Sequence, residues 1–237
     1  MINNRFQRTS LLLGEQGIRN LQNSCVMIVG LGAVGGYALE AIARSGVGHL
    51  ILVDFDEFDI TNINRQILAT DNTIGRKKTE VAKERVLQIN PSCKVEIRDV
   101  FIDSSNVENI LSLKPDYVID AIDSLKSKCC LLKKLWQQKI PFITSMGAAL
   151  KTDTSAIKMS TLAETQNCPL ARQVRQQLRK EGVNLEEVLC VYSLEKSNSD
   201  AIISKSTSKI LGSLPTITAI FGLIIANHVI LDLSKSE

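Results

Sequence analysis

The stretch GLGAVGG, residues 30–36, sets Gly30, Gly32 and Gly35 in a G-x-G-x-x-G pattern directly behind the apolar run CVMIVG, residues 25–30. These residue types suit a phosphate. The first glycine permits a tight turn, the second lets an anionic ligand approach the backbone, and the third lets a helix pack close to the preceding strand. The N-terminus of that helix then favours negative charge. Asp54 follows at about the twenty-residue spacing at which an acid hydrogen-bonds a ribose hydroxyl pair. That much suits NAD, FAD and ATP equally. The stretch DFDEFDITNINRQ, residues 54–66, separates them. Asp56 comes close behind the first acid, Asn62, Arg65 and Gln66 follow at helical spacing, and Lys78 falls on the next expected helix. Paired cations suit a charge-dense triphosphate, for which a helix dipole alone is weak. A nicotinamide needs no such array. Each charge alone reads as solvated surface, but the cluster stands directly behind a nucleotide-binding strand. Asp123, in VIDAIDS, lies just past the carboxyl end of another buried strand, where open α/β sheets place their ligands. A carboxylate beside a triphosphate most simply holds Mg²⁺. Asp120 is the neighbouring candidate and falls within the strand.

Strand and helix must alternate to position these residues. Continuous apolar runs at CVMIVG, HLILVDFD and DYVIDAID mark strands buried on both faces. KVEIRDVFI alternates, and IPFITSMGAA supplies a further strand. Helical patterns lie between them. Residues 1–150 therefore read as an ATP-binding core, a Rossmann-like, doubly wound, mostly parallel α/β sheet with helices on both faces. Residues 151–237 read as a C-terminal extension packed on the same domain. Residues 151–165 hold a strand that suits an antiparallel sheet edge. NCPLARQVRQQLRKEG is a basic helix opened by Pro169, and residues 196–209 read as a mobile loop. The apolar segment 209–233 passes a length test for a membrane span. Pro215, Asn227 and His228 interrupt it, so a buried or dimer-facing helix starting near Pro215 is expected and no stable membrane insertion.

The 237 residues fit one large domain or a domain with an appendage, and 44% are hydrophobic. A net charge of +3 allows a polyanionic partner without demanding one. Six cysteines occur with no CxxC pair, which argues against a structural zinc site. The N-terminal stretch lacks an apolar signal core, so a reducing, cytoplasmic compartment is expected.

VGLGAVGGYALEAIARSGVGHLILVDFDEFDITNINRQ, with IGRKK, INP and DAID, resembles the adenylate-forming enzymes that activate ubiquitin and their bacterial relatives, the ThiF and MoeB proteins. In that family a carboxylate attacks the α-phosphate of ATP, pyrophosphate leaves, and a nucleophile displaces AMP. The resemblance implies that Asp54 is the ribose ligand, that Asn62, Arg65 and Lys78 contact the triphosphate, and that Asp123 is the Mg²⁺-associated acid. It also implies that Arg8, in RFQRTS, reaches across a homodimer into the partner's ATP site. CPLARQVRQQLRKEGV, VLCVYSLE and GSLPTITAIFGLIIANHVI resemble the branch that dehydrates threonylcarbamoyl-adenosine in tRNA, less closely over 150–195 than over the first half. The implied reaction adenylates the side-chain carboxylate of that nucleoside, and ring closure gives a hydantoin or oxazolone-type product. The alternative is an adenylyltransferase that activates a ubiquitin-like sulfur-carrier protein; those relatives usually carry two CxxC pairs, absent here. A sulfur-transfer partner system stays open. An NAD-dependent oxidoreductase is disfavoured by Asn62, Arg65 and Lys78, and a non-catalytic scaffold by the intact ATP residues.

Arg172, Arg175, Arg179 and Lys180 recur at spacings that put them on one helical face. Such a row suits the phosphate backbone of tRNA; a solvated amphipathic helix explains it equally well. Cys190 matches a cysteine of the dehydratase branch. Relay nucleophile and structural thiol both remain open, with the structural thiol favoured because an internal cyclisation needs no relay.

Overall fold

The computed structural model describes residues 4–196, 202–204 and 209–235. Seven strands form one sheet in the order β3-β2-β1-β4-β5-β7-β6. They are β1 (Cys25–Val29), β2 (His49–Asp54), β3 (Lys94–Asp99), β4 (Tyr117–Asp120), β5 (Phe142–Ser145), β6 (Ile157–Thr161) and β7 (Leu189–Ser193). All neighbouring pairs are parallel except β6, which closes the edge antiparallel to β7. The expected antiparallel edge strand in residues 151–165 is therefore present. Every residue of β1 and β4 is buried, as their unbroken apolar runs require of strands covered on both faces.

Among the described residues seven α-helices surround the sheet: α1 (Gln7–Asn23), α2 (Gly35–Ser45), α3 (Lys78–Ile89), α4 (Val107–Leu111), α5 (Leu125–Gln138), α6 (Pro169–Lys180) and α7 (Pro215–Ser234). Helix α1 is kinked at Gly14, whose φ of 74° lies in the left-handed region. Helix α2 ends on Gly46 at φ 95°, the usual left-handed stop. The chain order runs outward from β1 in both directions, to β2 and β3 on one side and to β4 and β5 on the other. The carboxyl ends of β1 and β4 thus flank the topological switch point, where such sheets bind ligands.

The C-terminal residues do not form a separate layer. Strand β7 extends the sheet from β5, and α7 packs on α1 and α2 through Ile217, Phe221, Ile225 and Val229, all buried. A Cβ at Gly222 would lie 2.5 Å from the Val34 carbonyl oxygen, so α2 and α7 touch backbone to backbone. Among the described residues α7 alone is long and apolar enough to cross a membrane, and this packed face marks it as a core helix. Its other face leaves Leu223 and Leu231 exposed. The expected loop over 196–209 is in part a hairpin of β8 (Ile202–Ser204) and β9 (Lys209–Leu211). Residues 197–201 and 205–208 of that loop lie outside the described residues.

Candidate active site

The glycine turn is built as its sequence requires. Gly30 has φ 90°, and a Cβ there would stand 2.7 Å from the Ala121 carbonyl oxygen. A Cβ at Gly35 would fall 1.8 Å from the Gly30 carbonyl oxygen, so only glycine lets α2 start this close to β1. Gly32 differs: the nearest atom to its Cβ position is the Gln66 amide nitrogen at 3.8 Å. No protein atom demands a glycine at 32, which leaves the open backbone that a phosphate would approach.

Asp54 ends β2 and is buried. Its Oδ2 accepts a 2.6 Å hydrogen bond from the Leu31 amide, and its Oδ1 accepts one from the Asp56 amide at 2.9 Å. The carboxylate is thereby locked against the glycine turn, with lone pairs left for a ribose edge. Asp54→Ala should weaken ATP binding about 10- to 100-fold, the loss of a charged hydrogen bond of roughly 1.5–3 kcal/mol. Calorimetric titration with ATP and with NADH checks this; NADH binding without ATP binding would exclude a triphosphate site.

The segment after Asp54 folds back on the start of α3. Phe58 donates its amide hydrogen to the Arg76 carbonyl at 3.0 Å, and Lys78 donates its own to the Asp56 carbonyl at 3.0 Å. This clamp brings the buried Lys78 ammonium 3.1 Å from Asp56 Oδ2 and 5.9 Å from the Phe58 ring centroid. Asn62 and Arg65 do not sit on a regular helix. They occupy a single 3-10 turn, Ile60–Asn62, and the turns behind it. Asn62 Oδ1 accepts the Asp59 amide at 3.1 Å and so caps its own turn. The Arg65 guanidinium folds back onto the Thr61 carbonyl and Asn64 Oδ1, each at 2.8 Å. The same turn carries Gln66, a buried side chain whose Oε1 has no hydrogen-bond partner. An orphaned buried acceptor beside the glycine turn is costly unless a ligand satisfies it. Gln66 stands in the sequence with Asn62 and Arg65; its burial needs the fold.

Asp123 is exposed, three residues beyond β4. Its loop leans on the glycine turn, since the Ala121 amide donates to the Val29 carbonyl at 2.8 Å. Asp120, by contrast, is fully buried and paired with Lys128. The structure thus collects Gly30, Gly32, Gly35, Asp54, Asp56, Lys78, Asn62, Arg65 and the Asp123 loop at one end of the sheet. Arg8 lies apart, exposed in the first turn of α1 and without an ion pair among the described residues.

The basic row on α6 is uneven. Ala171, Val174 and Leu178 are its buried face, and Arg175, one turn beyond Ala171, borders that face. Arg175 is half-buried and donates to the backbone oxygen of Thr165 at 2.7 Å and to the Thr165 hydroxyl. It ties the helix to the preceding loop, whereas Arg172, Arg179 and Lys180 are exposed. Cys190 lies in β7 with no exposed surface. Burial, with Cys168 nearby, pushes its thiol up to about 12, and a buried neutral thiol is a poor nucleophile. Burial likewise raises Cys25 to about 12 and Cys93 and Cys129 to about 11. Thiols that stay protonated when folded but ionise when unfolded lose their stabilising effect as pH rises from the unfolded value. Unfolding free energy from urea titrations should therefore decline between pH 9 and 11, and a flat profile would contradict this burial.

A model of the ThiF family matches residues 6–236. The tRNA threonylcarbamoyladenosine dehydratase of Bacillus subtilis is 38% identical, over 98% of this chain and 95% of its own length. The crystal structure of that dehydratase from E. coli in complex with ATP superposes with a TM-score of 0.91 at 35% identity, covering 98% of this chain and 96% of its own. The adenylyltransferase and sulfurtransferase MOCS3 of Drosophila willistoni is 36% identical, but over only 63% of this chain and 32% of its own length. Matched from end to end in sequence and in fold, this chain belongs to the ThiF family.

Proposed function

We propose that the chain uses ATP to dehydrate threonylcarbamoyl-adenosine in tRNA. The observation that carries this is the likeness to the dehydratases, which extends through the C-terminal residues, while the likeness to the adenylyltransferase and sulfurtransferase MOCS3 covers 63% of the chain. The glycine turn and Asp54 hold the nucleotide. The substrate carboxylate attacks the α-phosphate, a P–O bond forms, and the bond to pyrophosphate breaks. An internal nucleophile of the same nucleoside then attacks the acyl carbon, and AMP leaves with one oxygen of the former carboxylate. The balance is the loss of one water from the nucleoside.

Lys78 and Arg65 neutralise charge on the phosphates, as preorganised cations do most effectively in a partly dry site. Arg65 must exchange its present hydrogen bonds within the turn for a phosphate. Among the described residues no cluster of three or more His, Cys, Asp or Glu side chains could hold a metal. One exposed carboxylate nonetheless suits Mg²⁺, which is usually held by one or two carboxylates together with substrate phosphates and water. Asp123 would hold the ion there, and the ion would screen the leaving pyrophosphate. No step needs a thiol, in keeping with the burial of Cys190.

The reading includes a homodimer, which the exposure of Arg8 and its neighbours supports. Leu11 and Leu12 are 81% and 87% exposed on the same helix, an apolar surface of the kind partner subunits cover. Exposed Arg172, Arg179 and Lys180 would meet tRNA phosphates, with half-buried Arg175 beside them. Arg172 and Arg175 line a cleft with Asn167, Cys168, Gln176 and Lys196 that opens at the N-terminus of α6. A tRNA substrate fits a cytoplasmic enzyme.

The decisive experiment incubates the protein with ATP and three acceptors: modified tRNA, unmodified tRNA and a carrier protein ending in Gly-Gly. AMP release should follow the modified tRNA alone, and mass spectrometry should show that tRNA losing one water. AMP formed only with the carrier protein, with no change in tRNA mass, would replace this reading with carrier adenylation.

A further inference from the structure

Lys128 has no part in the site described so far. It lies in α5 with no exposed side-chain surface, its ammonium 2.6 Å from the equally buried Asp120 Oδ2 and 2.9 Å from Thr144 Oγ1. The Thr144 hydroxyl donates to the same Asp120 oxygen at 2.6 Å. The other oxygen, Oδ1, accepts the Ile122 amide at 3.0 Å. A buried ion pair often contributes no more stability than an apolar pair of the same volume. Its place in the fold is more informative than its contribution to stability.

The cluster sits where β4 and β5 end, at the root of residues 121–124. These residues have left the sheet ladder, yet they carry Asp123 and press on the glycine turn at Gly30. Asp120 grips them from below. One carboxylate oxygen holds the Ile122 amide, and the other is anchored to β5 through Thr144 and to α5 through Lys128. Lys128 and Thr144 donate to Oδ2 while the Ile122 amide donates to Oδ1, so both carboxylate oxygens are held as acceptors in a dry environment. We propose that Lys128, Asp120 and Thr144 form a positioning triad that fixes the 121–124 loop, and with it Asp123, against the glycine turn where the reacting phosphates lie. The inference rests on the placement of Asp123 beside those phosphates.

Thr144 gives the cleanest test, because removing its hydroxyl leaves the ion pair and nearly the same volume. AMP release is measured at saturating ATP and modified tRNA, per folded enzyme, with melting temperature measured alongside. Thr144→Val should lower kcat about tenfold, since a misplacement of order 1 Å costs up to ~10²-fold. The KM for ATP should stay within about twofold, because Asp54 and the glycine turn are untouched. Thr144→Ser, which keeps the hydroxyl, should restore most of kcat. Lys128→Met should lose at least as much as Thr144→Val; if it fails to fold, the Thr144 pair still decides. Two outcomes are kept apart by Asp123→Asn. Full activity in Asp123→Asn would remove Asp123 from the phosphates and this inference with it. An inactive Asp123→Asn beside a Thr144→Val with unchanged kcat per folded enzyme would overturn the triad alone.

Discussion

Arg8→Ala should lower kcat for AMP release about 10³-fold, the lower end of what an arginine finger supplies. ATP affinity should change little, because the glycine turn, Asp54 and Lys78 lie in one subunit and remain intact. The reason is geometric. Arg8 is exposed at the start of the chain and bonded to nothing charged among the described residues, while Leu11 and Leu12 beside it are exposed to an extent that an apolar pair rarely is in a lone protomer. An arginine reaching in from a partner subunit, as proposed, would act against charge that builds during the reaction, and so on turnover more than on binding. The check is complementation. In the proposed homodimer, Arg8→Ala mixed with Asp123→Ala gives heterodimers in which one site has both residues intact, and part of the activity should return. Absence of recovery in dimers shown to be mixed would place Arg8 in its own subunit's chemistry or outside the chemistry altogether.

The parts of the site that a reader of the sequence can find are those governed by local rules. Gly30, Gly35 and Asp54 occur at spacings dictated by a strand, a turn and a helix, and the structure puts each where the spacing implies. The parallel core is equally readable, because a strand buried on both faces must be apolar throughout. What escapes is whatever depends on distant partners. Lys128, in KSKCCLLKK, looks like one of several solvated lysines, and only the approach of β4 and β5 reveals that it is wholly buried. Arg175 sits in a row of like charges and is separated from them by its position beside the buried face of α6 and by the oxygens of Thr165. Asn62 and Arg65 were expected at helical spacing, but Asp59 caps a single turn and the helix never extends. The pairing of β8 and β9 escapes because each strand is three residues long, IIS and KIL, within a Ser- and Lys-rich stretch, too short to show an alternation.

Lys78→Ala should lower kcat/KM for AMP release by about 10²–10³, the usual loss when one preorganised electrostatic group is removed from a developing anion. Stability should fall little. Lys78 itself is buried, but the carboxylate it leaves behind, Asp56, is 47% exposed and can be hydrated. The Asp56 pair and the face of Phe58 hold the ammonium in place before ATP arrives, so little ordering remains to be done on binding. Lys78→Arg should recover only part of the rate, because a planar fork does not reproduce a compact ammonium in a site closed by Phe58. Asp56→Asn separates holding from neutralising. It keeps the charge on Lys78 and removes its tether, so its loss should be smaller, about 10- to 100-fold by analogy with groups that orient a ligand without touching the reacting atoms. Steady-state rates for the three variants, with ATP affinity measured separately, give the order Asp56→Asn above Lys78→Ala. Equal rates for Lys78→Ala and the unaltered protein would mean that the buried lysine serves the α3 junction alone, and that the phosphates are neutralised by Arg65 and other groups of the site.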